Sequence, residues 1–245
     1  MRYSSPRVAM TSLFSAIALI HTVVGTPNII DTVIKEDKTW STGQVSKFGV
    51  EYFTSHLGGQ KPDLLYIGCS DSRVPSDIFM NVTLGEVFTH RNIGNSIISR
   101  DPNTMSVIDY ALNHLNVSTI AITGHSQCGG VKASMNPGEL EDSIKTFIKP
   151  ITKLYRKNKK YIDSLPTDQE RQQFLVELNV KRLVRVASKL QSVKDRWRKG
   201  LPLAIYGLVY KLEDGSLNNL NVTVTKRNQF DRKHLPALWA KGLTL

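Results

Sequence analysis

The sequence predicts an α/β fold: a mostly parallel sheet of about four strands with an antiparallel edge strand, helices on its faces, and a helical arm at the N-terminus. Three observations predict it. Short apolar runs bounded by small polar residues recur at 63–68, 86–91, 117–123 and 203–210, the length of buried strands. Segment 103–115, between the second and third of these, sets Val107, Ile108, Ala111, Leu112 and Leu115 on one helical face, as a right-handed parallel crossover requires. The Glu213-Asp214-Gly215 turn then returns the chain along 220–225, which makes the last strand pair antiparallel.

The remaining elements follow in order. Thr26-Pro27 supplies an N-cap and a first-turn proline for a helix running to Lys38, and a second amphipathic helix over 45–57 stops at Gly58-Gly59. Residues 139–160 and 168–195 read as two helices separated by Leu165-Pro166-Thr167. No internal repeat or low-complexity tract interrupts the chain after residue 26, so 26–245 reads as one domain. The first 25 residues differ: Arg2 and Arg7 precede an apolar run over 13–20, and no acidic residue occurs before Asp31. Thr11, Ser12, Ser15 and His21 make this stretch too short and too polar to span a membrane, while Val23-Val24-Gly25 offers small residues for cleavage. The expectation is a removable secretory signal and a secreted protein free of the membrane after removal, with a mitochondrial presequence as the alternative.

Composition narrows the function classes. With 40% hydrophobic and 22% charged residues in 245, the chain can bury a core, which excludes a disordered or collagen-like protein. Two cysteines, Cys69 and Cys128, exclude a disulfide-stapled miniprotein. The net charge of +11 is confined to 145–200, where 16 Lys/Arg face 5 Asp/Glu and the remainder of the chain balances. This segment reads as solvated faces of helices that carry apolar stripes on their other side. No helix-turn-helix, zinc-finger or RNP pattern accompanies it, so no nucleic-acid partner is expected, and a weak polyanion contact is the alternative.

The chemistry lies where strands end. Cys69-Ser-Asp71-Ser-Arg73 follows the first strand and His125-Ser-Gln-Cys128-Gly-Gly130 follows the third, at the carboxyl edge where open α/β sheets bind ligands. Two thiolates and one imidazole suit zinc. Three protein ligands, rather than the four of structural sites, leave a coordination position open for catalysis. The alternative is a Cys69–Cys128 disulfide, with His125 capping the following helix. Asp71 can orient a nucleophile beside the metal, and the Arg73 guanidinium fork can keep its carboxylate ionised; a loop salt bridge is the plainer role for the pair. His56, His90 and His114 have no inferable partner and read as surface or packing residues.

Over nearly all of 26–245 the sequence resembles the β-class carbonic anhydrases, in particular their plant-type branch. The resemblance rests on three motifs in order: Cys69-Ser-Asp-Ser-Arg-Val-Pro75, Gly85-Glu86 with Arg91-Asn92-Ile93, and Gly124-His-Ser-Gln-Cys-Gly-Gly130. It implies one zinc per chain held by Cys69, His125 and Cys128, with Asp71 and Arg73 as the catalytic pair beside it. It also implies Gln60, Phe88, Tyr110 and Gly129 as substrate-pocket residues, and reversible hydration of CO2 to bicarbonate and a proton. A further implication is a homodimer or dimer-based higher oligomer, with Gln60 from one subunit meeting Phe88 and Tyr110 of its neighbour. Two other functions stay open: hydrolysis of a CO2 analogue such as carbonyl sulfide or carbon disulfide on the same scaffold, and non-catalytic binding through the basic segment.

Overall fold

The computed structural model describes residues 28–245, so the expected targeting segment lies outside the described residues. The chain divides into two compact units, one ending at Ser55 and one comprising His56–Leu245. In the first, α1 (Ile29–Phe48) is capped by the Asn28 side chain, which accepts from the Ile30 amide at 3.1 Å. It runs through 39–44, where a break between two helices was expected. Gly43 lies in the helix interior, where glycine weakens a helix by about 1 kcal/mol without ending it. The stop comes at Gly49, whose φ of +81° only glycine adopts easily, and α2 (Glu51–Thr54) is a single short turn. Trp40, Phe48, Tyr52 and Phe53 pack ring against ring, with Trp40–Phe53 centroids 5.7 Å apart. Ile29, Ile30, Val33 and Ile34 stay exposed on α1.

The second unit carries the sheet. Its elements are β1 (Leu64–Cys69), α3 (Ser76–Phe79), β2 (Val87–Asn92), a 3₁₀ turn over Ile93–Asn95, α4 (Pro102–Asn113), β3 (Thr119–His125) and α5 (Gly129–Met135). There follow α6 (Asp142–Asp163), α7 (Asp168–Ala187), α8 (Gln191–Arg198), β4 (Ala204–Tyr210), β5 (Leu217–Asn219), α9 (Gln229–Lys233) and α10 (Leu235–Trp239). The strand order is β2-β1-β3-β4-β5, parallel except for the β4–β5 edge pair. β2 lies on one side of β1 and β3 on the other, so the order reverses between β1 and β3, and a crevice opens beyond their carboxyl ends. Those ends are Cys69 and His125.

Two sequence expectations shift in detail. The helix expected over 168–195 is broken, because Leu190 turns extended between α7 and α8. The turn delivers Arg196 to a buried position where it donates to the Leu112 carbonyl and Asn116 Oδ1 at 2.7 and 2.8 Å, tying α8 to the end of α4. The return strand begins at Leu217, earlier than the expected 220. A tight turn, with Lys211 N–H donating to Ser216 O at 2.8 Å, sets Tyr210 opposite Leu217. Asn221, at φ +56°, then interrupts the ladder, leaving only a bridge between Val224 and Ile205 from the expected 220–225.

α7 packs closely over β3 and β4. Thr167 and Glu170 close a capping box at the start of α7, and its buried face carries Val176, Val180 and Val184. Two glycines make room for it. A Cβ at Gly124 would stand 2.8 Å from Val180 Cγ2, and one at Gly207 would stand 2.4 Å from Val222 Cγ2 and 3.1 Å from Val180 and Val184. Gly207→Ala is therefore expected to cost about 1–3 kcal/mol by overpacking. The thermal midpoint at fixed protein concentration reads this, and an unchanged midpoint would mean that Val222 and the α7 valines do not crowd this position.

Candidate metal centre

Cys69 is the last residue of β1 and His125 the last of β3, so strand register carries both to the same edge. Cys128 arrives by a different route. Ser126 and Gln127 form a turn, Gln127 at φ +53°, after which Cys128 stands at the N-cap of α5. The result is a buried triangle: the two sulfurs and a ring nitrogen of His125 lie within 4.8 Å of one another. The sulfurs are 3.9 Å apart and both thiols are free, which disposes of the disulfide alternative in this structure. That separation is close to the edge of a tetrahedron with zinc–sulfur distances of about 2.3 Å, roughly 3.8 Å.

The imidazole is prepared for a cation. Its Nδ1–H donates to the Ser126 carbonyl at 2.9 Å, which leaves Nε2 as the lone-pair nitrogen. Nε2 is buried without a hydrogen-bond partner, a cost that a ligated cation removes. The mutual hydrogen bond of the two thiols holds Cys69 below the ordinary thiol range, against the opposing effect of burial, and pushes Cys128 up. Ionising both in this pocket requires a positive charge between them.

Asp71 sits at the rim, its Oδ2 3.8 Å from His125 Nε2. Arg73 grips it with both faces of the fork, Nε to Oδ1 at 2.9 Å and an Nη to Oδ2 at 2.7 Å, while the Arg73 amide donates to Oδ1 at 3.0 Å. The Arg73 hydrogen bonds hold the Asp71 carboxyl far below the usual carboxylate range. Arg91, which ends no charge pair, donates instead to the backbone carbonyls of Cys69 and Asp71 at 2.8 and 2.6 Å. Gln172 of α7 donates to the Cys128 carbonyl at 2.8 Å.

The other expected pocket residues are dispersed within one chain. Phe88 and Tyr110 stack on each other, centroids 5.9 Å apart, with Tyr110 47% exposed. Phe88 lies four positions before Asn92, the register partner of Cys69, and hence about 13 Å along the strand from the thiol. Gln60 is exposed in the segment leading into β1, and Gly129 opens α5 beside Cys128 with no atom within 4 Å of where a Cβ would stand. His90 is buried against Thr104 and Asn92, and His114 stacks on Tyr110, so both pack as expected.

A family model described as carbonic anhydrase matches residues 64–217, the stretch that runs from β1 into β5. A curated relative, a carbonic anhydrase of Emericella nidulans, is 40% identical over 195 residues, covering 78% of this chain and 83% of that protein. The chain belongs to the β-class carbonic anhydrases. Its fold matches that of a tetrameric β-carbonic anhydrase from Sordaria macrospora with a TM-score of 0.77 at 28% identity, covering 80% of this chain and 99% of the other. It matches a Coccomyxa β-carbonic anhydrase, solved with acetazolamide, with a TM-score of 0.77 at 27% identity, covering 89% and 100%.

As a β-carbonic anhydrase the protein uses zinc, and its donor set, the sulfur spacing and the orphaned Nε2 all fit that ion. Arg91 stood in the sequence as part of a motif, but nothing marked it as the brace of two carbonyls. Gln172 lies in a polar stretch of an amphipathic helix, where no local signal separates it from Gln169 or Gln173. Cys69→Ser, His125→Ala and Cys128→Ser are each expected to lose zinc and CO2 hydration together, because the described residues bring three protein ligands to the site and losing one leaves it incomplete. Metal analysis alongside stopped-flow hydration checks this, and stoichiometric zinc with normal hydration in any of the three would overturn the ligand set.

Proposed function

We propose that the chain hydrates CO2 reversibly with Asp71 and Arg73 as the polar machinery beside the metal, in a pocket completed by a second subunit. The observation that carries this reading is the ionised, doubly gripped carboxylate held at the rim of a three-donor triangle. Zinc bound by Cys69, His125 and Cys128 supplies the acidity that makes a nucleophile available from water near neutral pH. Kept ionised, Asp71 is purely an acceptor, so it can take a hydrogen bond from the nucleophile and turn a lone pair toward the carbon of CO2. Arg73 holds that orientation and in addition reaches the Gln127 carbonyl at 3.3 Å, tying the carboxylate to the turn between the two later ligands. Gln60 is assigned to donate to a substrate oxygen, and Gly129 keeps the mouth beside Cys128 free of a side chain. Phe88 and Tyr110 supply the apolar wall that a nonpolar substrate prefers.

Three observations support a shared pocket. Phe88 is too far along its own strand to face its own thiols. Tyr110 and the Ile29, Ile30, Val33 and Ile34 residues of α1 are exposed in the single chain, and Phe88 is half-buried. The Sordaria macrospora relative is described as tetrameric. A two-fold dimer would bury such faces and complete two pockets with one type of interface.

Arg73→Ala is expected to lower the hydration rate about 10- to 100-fold while zinc stays near one per chain, since the positioning of Asp71 and not the ligand set is lost. Near-normal hydration in that variant would remove the pair from the mechanism. Subunit sharing is read separately. Gln60→Ala and Phe88→Ala proteins, each inactive, should regain activity on mixing, approaching about a quarter of wild-type sites at random exchange. No recovery despite demonstrated exchange would place each pocket within a single chain.

A further inference from the structure

The turn between His125 and Cys128 carries more strain and more support than the rest of the site. Gln127 holds a left-handed φ of +53°, a conformation that a residue with a side chain adopts only when its surroundings impose it. The two side chains in the turn converge on one group outside it. Ser126 Oγ donates to Glu213 Oε2 at 2.8 Å, and Gln127 Nε2 donates to Glu213 Oε1 at 3.1 Å. The buried Ser126 hydroxyl also accepts the Leu212 amide at 2.9 Å, and the Ser126 amide donates to Tyr210 O at 2.9 Å.

Glu213 lies in the turn after β4, remote in sequence from the ligands and touching none of the three. Its own turn is fixed independently: Lys211 and Ser216 pair across it, Gly215 takes φ +70°, and Asp214 accepts from the Ser216 amide at 2.9 Å. A rigid turn therefore presents a carboxylate whose two oxygens each take one hydrogen bond from the two residues between a pair of ligands. Those two hydrogen bonds hold the Glu213 carboxyl below its ordinary range. Glu213 stands at the rim of an open cavity of about 710 Å³ that Ser126, Gln127 and Phe174 also line, so replacing it opens no hole in the core.

The structure assigns Glu213 as a positioning residue of the metal centre: its carboxylate clamps the Ser126-Gln127 turn and so sets the spacing of His125 and Cys128. The assignment rests on the zinc reading, and its test reads the metal rather than turnover. Holoprotein is challenged with a colorimetric chelator, and the rate of zinc release is measured beside the visible absorption spectrum of the cobalt(II)-substituted protein. Glu213→Ala is expected to release zinc about 10-fold faster or more, with an altered cobalt spectrum, in line with losses of metal hold when outer partners are removed. Glu213→Gln, whose amide oxygen still accepts from Ser126, should recover most of the hold. Asp214→Ala softens the same turn but keeps the carboxylate that holds the ligand loop, so it should lower the thermal midpoint and move release and spectrum by much less than Glu213→Ala. Should Glu213→Ala fail to fold, Gln127→Ala removes one of the two hydrogen bonds and is expected to move release in the same direction by a smaller factor. Wild-type release and spectrum in Glu213→Ala, or equal effects in Asp214→Ala, would overturn the assignment. Wild-type protein that takes up no zinc would overturn the zinc reading with it.

Discussion

Two buried thiols held 3.9 Å apart set the terms for the rest of this structure. Side by side and desolvated, they are costly to ionise together without a cation between them. The pocket must therefore be shaped by forces that do not depend on the ion. Backbone pairing provides the first of these: β1 and β3 run side by side from Leu64 and Thr119, which brings their ends, Cys69 and His125, to one edge. The glycines at 124 and 207 provide the second, by letting α7 lie against the sheet so closely that Gln172 reaches the carbonyl of Cys128.

Strand register places atoms to within the spacing of residues, but a chelate demands finer control. That control falls to polar side chains from distant parts of the chain. Arg91 fixes the carbonyls of Cys69 and Asp71, Arg73 fixes the Asp71 carboxylate and touches Gln127, and Glu213 holds the turn from the opposite side. Removing one such partner leaves a neighbour unsatisfied or a turn unsupported, so these residues influence the metal without ligating it. The His125 ring is oriented locally instead, its Nδ1–H donating to the Ser126 carbonyl one residue away.

What the sequence disclosed divides along the same line. The parallel strands were legible because both faces of β1 and β3 are buried, which writes continuous apolar runs such as Leu64-Leu65-Tyr66-Ile67. The ligands were legible because cysteine and histidine at strand ends have few other uses. The break between α7 and α8 was not, since the periodicity continues across it and only the burial of Arg196 against Leu112 and Asn116 explains the bend. Continuity of α1 through Gly43 and the early start of β5 were hidden for related reasons: a glycine's φ and a turn's register follow from the surrounding chain. Gln172 and Glu213 carried no signal, because a hydrogen bond to a residue far away in sequence leaves no periodic trace. Part of the concentrated positive charge has a local explanation in α6, whereas Arg196 of the same segment is buried. In α6, Ile148, Ile151, Leu154, Tyr155 and Ile162 face inward, while Lys149, Lys153, Arg156, Lys157 and Lys160 face solvent.

The chemistry of the substrate bears on the proposed assembly. CO2 carries no charge, and a site that receives it needs an apolar wall as well as an acceptor for the nucleophile's proton. Around its own triangle a single chain displays Asp71 and a half-exposed Arg73, both charged. Its suitable apolar surface, the stacked Phe88–Tyr110 pair, lies about 13 Å along β2 and turns partly to solvent. Each chain thus has an aromatic pair that lies far along β2 from its own thiols. A two-fold axis would bring each pair to the other chain's site with a single contact, because an isologous interface gives to each partner what it takes from the other. In the proposed assembly Phe88 and Tyr110 would form half of a pocket, and dimerisation would complete the catalytic centre as well as bury apolar surface.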